Sequence, residues 1–186
     1  MKQVIIIHGW GGNPEEGWLP WARKILESTG FKVQIPAMPD TESPDIEKWV
    51  GILRQTITKP DEQAYLIGHS IGCQAILRYL ESLPVSIKIG GVIFVAGWFD
   101  LDNIESDEER AIAKPWINTP IDFVKIKSHC EKFTVILSDN DPFGFLESNK
   151  KIFEEKLDAR VLVLQNRGHL IETQELPEVI REIEKF

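Results

Sequence analysis

The sequence holds two cysteines, Cys73 and Cys130, among 186 residues. That is too few for a disulfide framework, and both read as reduced thiols of a cytosolic protein. Long apolar runs are missing too. The N-terminal stretch MKQVIIIHG has four consecutive apolar residues. A secretory signal needs about 7–15, and a membrane span about 20. Neither pattern occurs anywhere, so the expected location is cytoplasmic, with no membrane partner. Positive charge is in deficit, with 21 Lys and Arg against 29 Asp and Glu for a net charge of −8. A nucleic-acid binder needs clustered basic residues to displace phosphate counterions, and an anionic membrane surface recruits the same residues. Neither partner is expected. Internal repeats, low-complexity tracts and linkers are absent. So are the G-x-G-x-x-G and Gly-Lys-Ser/Thr signatures of nucleotide loops.

What is present suits one domain, 1–186. A chain of this size buries roughly 70% of its unfolded surface, enough for a sheet covered on both faces. Short runs rich in Val and Ile occupy residues 4–7, 33–35, 64–67, 91–96, 133–137 and 161–164. They show no clean alternation, as expected of parallel strands buried on both faces. Between them, apolar residues recur at helical spacing. Trp18, Trp21, Ala22, Ile25 and Leu26 share one face. Ile46, Trp49, Val50, Leu53 and Ile57 share another, as do Leu176, Val179, Ile180 and Ile183. The segment from Ile71 to Leu83 is apolar nearly all round, which marks a deeply buried helix. The pattern predicts an α/β fold of three layers, a six-stranded parallel sheet between about six helices.

Residues 97–120 break the rhythm. They are too many for an ordinary connection of about 2–6 residues. The expectation is a small cap segment. Its acidic run, 105–109, reads as a solvated helix face.

Gly68-His69-Ser70-Ile71-Gly72 matches G-x-S-x-G. The bare string recurs by chance, but here it directly follows the run 64–67 and opens the buried helix. That strand–turn–helix setting is what a nucleophile elbow requires. The glycines keep side chains out of the turn, and the Ile71 N–H at the helix start can donate to an oxyanion. The competing reading makes Ser70 a plain helix N-cap.

A serine nucleophile on this scaffold takes its partners in the order Ser, Asp/Glu, His. His169 follows the last strand in QNRGH and is the expected base. His69 is the variable residue of the elbow, His129 lies near a predicted helix end, and His8 ends the first strand. Two aspartates compete for the acid, Asp139 and Asp141, in SDNDPF after the fifth strand. Asp141 fits the G-x-x-D pattern common at this place, with Ser138 at the glycine position. It also precedes Pro142 as a helix cap would. His8-Gly9-Trp10-Gly11-Gly12 follows the first strand, where the second oxyanion donor is drawn, and the Trp10 N–H is the candidate. His8, Trp10, Trp18, Trp98, Phe99 and Trp116 are candidates for the substrate pocket.

With these residues in place, the chain resembles the small serine hydrolases of the α/β-hydrolase superfamily grouped with retinoblastoma-binding protein 9 and YdeN. The resemblance runs through VIIIHGWGGNPEEGWLPWARKIL, AMPDTESP, AYLIGHSIGCQAILRYLE, GGVIFVAGW, HCEKFTVILSDNDPF and RGHLIE. It implies a minimal α/β-hydrolase fold lacking the first two strands of larger members. It also implies the triad Ser70, Asp141 and His169, and cleavage of small acyl substrates. The Leu-x-Cys-x-Glu motif of a retinoblastoma-protein partner is absent, so that partner is not expected. The leading expectation is a carboxylesterase-like hydrolase acting through an acyl-enzyme, without metal or organic cofactor. The alternatives are a binding or regulatory module on this scaffold, and an aminopeptidase or acyl transferase using the same triad. The residue pattern names neither the acyl group nor the oligomeric state.

Overall fold

The computed structural model describes residues 1–104 and 106–186. Six strands form one parallel sheet: β1 (Gln3–Ile7), β2 (Lys32–Gln34), β3 (Ala64–His69), β4 (Gly91–Val95), β5 (Phe133–Ser138) and β6 (Arg160–Leu164). Their spatial order is β2-β1-β3-β4-β5-β6. Each run carries apolar residues on both faces because both faces are covered. Ile5 and Ile7 pack into one core and Val4 and Ile6 into the other. Burying each such side chain contributes roughly 1.5–3 kcal/mol. The two edges differ from the interior. β2 is three residues long, and β6 exposes Arg160 and Val163. Short or polar edges limit pairing with other chains.

The helices are α1 (Leu19–Ser28), α2 (Ile46–Thr56), α3 (Ile71–Ser82), α4 (Asp107–Asn118), α5 (Phe123–His129), α6 (Leu146–Leu157) and α7 (Pro177–Ile183). α1 and α7 cover one sheet face, and α2, α3, α5 and α6 cover the other. Local sequence explains their starts. Asp45 caps α2 by accepting the Lys48 N–H at 3.0 Å. Ser106 and Glu109 form a reciprocal capping box at α4. α3 buries every residue from Ile71 to Leu80, as its all-round apolar sequence requires. No described helix is long and apolar enough to cross a membrane. Cys73 and Cys130 are free and buried.

Residues 97–120 hold α4, whose Trp116 is 1% exposed and packs edge-on against Trp49 of α2. Arg78 of α3 fastens its end, donating to the carbonyls of Trp116 at 3.0 Å and Thr119 at 2.9 Å. Those carbonyls lie past the last helical hydrogen bonds, where a cation is favoured. The first residue of the acidic run, Glu105, lies outside the described residues. Glu108 and Glu109 are solvent-exposed on α4.

A parallel sheet puts all its C-terminal strand ends on one edge. The chain builds outward from β1 to β2, then turns back to place β3 on the other side of β1. The crevice at that reversal is where open α/β sheets bind ligands. The loops leaving β1 and β3 flank it.

Candidate active site

β3 ends in a turn in which Ser70 takes φ 53° and ψ −122°. A positive φ at a side-chain-bearing residue costs of order 1–3 kcal/mol, and such strain is typical of functional turns. The surroundings hold it there. The Ser70 N–H donates to Val95 O at 2.9 Å. A Cβ at position 68 would lie 2.7 Å from Cys73 N, and one at position 72 would lie 2.5 Å from Ile7 O. Only glycine fits either place. The Ser70 hydroxyl makes no capping bond to α3, so the N-cap reading fails on geometry. Ser70 Oγ instead accepts the indole N–H of Trp98 at 3.3 Å.

β6 leads into a loop in which Asn166, Gly168 and Leu170 all have positive φ. Its shape is imposed by side chains from the end of β5 and the turn after it. Ser138 Oγ accepts the Arg167 N–H at 3.0 Å, and Asn140 Oδ1 accepts the Gly168 N–H at 2.9 Å. Ser138 Oγ–H in turn donates to Asn140 Oδ1 at 2.8 Å. Asp139 Oδ1 accepts the Asn166 N–H at 2.7 Å. This network delivers His169 to Asp141, whose carboxylate oxygens lie 2.9 and 2.8 Å from Nδ1. A carboxylate only accepts, so Nδ1 carries the hydrogen and Nε2 keeps a free lone pair. Of the two competing aspartates, Asp141 therefore meets the histidine, and Asp139 braces the loop backbone. Asp141 Oδ1 also accepts the Phe143 N–H at 3.0 Å.

The loop after β1 supplies the opposite wall. Gly11 N–H is taken by Thr41 O and Gly12 N–H by Gly9 O. Among the described residues, the N–H groups of Trp10 and Ile71 donate to no other group of the chain. Trp10 is fixed through its indole, which donates to Glu42 O at 3.0 Å.

Ser70 and His169 open into one cleft of about 450 Å³. Its apolar walls are Trp10, Trp98, Leu101, Ile104 and Phe143, with Glu42, Asp102 and Glu109 at the polar side. Residues 101–103 are tied to the acid turn, for Asp102 N–H donates to Phe143 O at 2.8 Å and Asn103 Nδ2 to Pro142 O at 2.7 Å. Phe143 stands edge-on to His169, with ring centroids 5.0 Å apart.

Trp10 and Trp98 thus border the cleft, but four other pocket candidates do not. His8 is wholly buried, donating from Nδ1 to Gly9 O and accepting the Met38 N–H at Nε2, both at 3.0 Å. Burial holds its pKa below the ordinary value. Phe99 packs against Phe123 and Phe153. Trp116, on the buried face of α4, donates its indole N–H to Pro44 O. Trp18 is sealed in the core beneath α1. An aromatic at helical spacing serves a core as readily as a pocket, and periodicity does not separate the two. Sequence reasoning passed over Asn140, Asn149 and Phe143. Asn149 of α6 accepts the Phe99 N–H at 2.7 Å and so anchors the start of the 97–120 segment. For Phe143 a signal existed, in its place two residues after the candidate acid.

A family model described as "Serine hydrolase" matches residues 4–182. The chain is similar to the putative hydrolase YdeN of Bacillus subtilis (strain 168), 33% identical over 177 residues that cover 93% of this chain and 88% of that protein. It is similar to serine hydrolase RBBP9 of Rattus norvegicus, 30% identical over 190 residues covering 99% and 95%. The crystal structure of the ydeN gene product from B. subtilis superposes with a TM-score of 0.89 at 31% identity, covering 100% of this chain and 98% of that one.

Proposed function

This chain belongs to the serine hydrolase family, and on that premise we propose that it cleaves small acyl esters at Ser70, in the manner of a carboxylesterase. His169 Nε2 takes the Ser70 proton as Oγ attacks the ester carbonyl. The N–H groups of Trp10 and Ile71 receive the negative charge that develops on the carbonyl oxygen. His169 then returns its proton to the departing alcohol, leaving an acyl-Ser70 ester. Water gives a proton to His169 Nε2 as it attacks that ester, and His169 returns that proton to Ser70 Oγ as the C–Oγ bond breaks and the acid leaves. Asp141 holds the His169 tautomer and stabilises its imidazolium.

The observation that carries this reading is the paired Asp141–His169 side chains opening into the same cleft as a serine in a strained turn. The cleft volume lies in the range of about 300–1,000 Å³ usual for small-molecule sites. The reading keeps the enzyme in the cytoplasm. A fluorophosphonate probe tests the chemistry: wild type is expected to label and Ser70→Ala is not. Equal labelling of both would overturn it. A series of p-nitrophenyl esters of increasing chain length, beside aminoacyl amides, then tests the ester preference.

A further inference from the structure

His69 sits beside the nucleophile, yet no step above uses it. Its imidazole is 3% exposed. Nε2 lies 2.9 Å from the backbone oxygen of His169. A carbonyl only accepts, so His69 carries its hydrogen on Nε2 and leaves Nδ1 as a bare acceptor. That Nδ1 is buried and has no partner among the described residues. The ring also stands edge-on to the His169 ring, with centroids 4.9 Å apart. A Cβ at position 9 would come within 2.8 Å of His69 Nδ1. Glycine there lets the imidazole seat against the oxyanion loop. His69 therefore touches the elbow, the oxyanion loop and the histidine loop at once.

Stability alone does not account for this residue. A buried polar atom left unpaired is costly, and an aliphatic side chain of like size fills the space without that cost. What imidazole adds is the bond to His169. The histidine loop needs such support, because three of its residues hold positive φ and it has no regular hydrogen-bond ladder. Ser138 and Asn140 brace it from the acid side. His69 braces it from the nucleophile side.

We infer that His69 is a positioning residue, tying the backbone of His169 to the turn that carries Ser70 so that base and nucleophile keep their spacing through both half-reactions. The inference rests on the reading of Ser70 as nucleophile and His169 as base. Burial, with the nearby His169 second, pushes the His69 pKa down to about 3. The imidazole therefore stays neutral and adds no second cation beside the imidazolium that forms on His169.

Two substitutions separate the donor from the bulk. His69→Gln places an amide N–H near the Nε2 position, and His69→Leu supplies none. Kcat and KM for p-nitrophenyl ester hydrolysis are measured with Tm, beside Ser70→Ala and His169→Ala. His69→Leu is expected to lower kcat roughly 10- to 100-fold, the scale of a misplaced catalytic group, with KM little changed. Its Tm should change little, since losing the unpaired Nδ1 offsets leaving the His169 carbonyl without its donor. His69→Gln should recover most of kcat. Wild-type kcat in the Leu variant would overturn the inference, as would equal impairment of Leu and Gln variants. Full activity in Ser70→Ala or His169→Ala would instead overturn the underlying triad.

Discussion

The indole N–H of Trp98 donates to Ser70 Oγ at 3.3 Å. Gln74 Nε2 holds Trp98 in place by donating to its backbone oxygen at 2.6 Å. The indole bond strengthens as Oγ loses its proton, because a donor favours developing negative charge. Trp98→Phe keeps an aromatic wall and removes the donor. The expected result is acylation slowed about fivefold, the equivalent of ~1 kcal/mol for one neutral hydrogen bond. The rate of fluorophosphonate labelling measures it. Unchanged or faster labelling would assign Ser70 no more than the satisfaction of a buried indole.

Asp139 and Asp141 stand two residues apart and face different partners. Asp141→Asn removes the acceptor that fixes the His169 tautomer, and kcat is expected to fall about 10⁴-fold. Asp139→Asn retains a side-chain oxygen for the Asn166 N–H. It should leave kcat within a few-fold of wild type. Steady-state ester hydrolysis by the two variants decides the assignment, and the reverse ranking would move the acid to Asp139.

Asn140 contributes one oxygen to two donors, Ser138 Oγ–H and Gly168 N–H. Asn140→Ala leaves both without that acceptor, a loss of about 1–3 kcal/mol. For a chain of this size each kcal/mol lowers Tm by roughly 2–4 °C. Kcat should fall as well, because the released loop carries His169. A variant with lowered Tm and wild-type kcat would show that the loop keeps its shape without Asn140.

The six parallel strands and both core layers follow from patterns visible in the residues; their spatial order does not. Continuous apolar runs report burial on two faces, and the all-round apolar helix after Ser70 reports its central place. The elbow was legible because Gly68 and Gly72 are demanded by close backbone contacts, which leave a mark on the sequence. The braces were not. Asn140 and His69 act through hydrogen bonds to backbone atoms of residues 168 and 169, and backbone atoms carry no sequence signal. The pocket walls were legible only in part, for another reason. Trp98 and Trp116 lie on the same segment, but the fold of 97–120 turns one toward Ser70 and the other toward Trp49.

Two buried histidines give the fold a defined response to acid. The pKa of His69 is pushed down to about 3, by burial first and then by the neighbouring His169. That of His8 is lowered too, with burial again the main cause. In the unfolded chain both titrate near 6.5. Between about pH 6.5 and 3 the unfolded state therefore binds a proton that the folded His69 refuses. Stability is full above pH 6.5 and drains away as pH falls through that window. The interval from about pH 7 to 5 covers the upper part of that window. Tm is expected to fall over that interval in the wild type. In His69→Gln, which has no group to protonate at that position, the fall should be shallower. Parallel Tm-against-pH curves for the two proteins would show that His69 takes no part in the acid response.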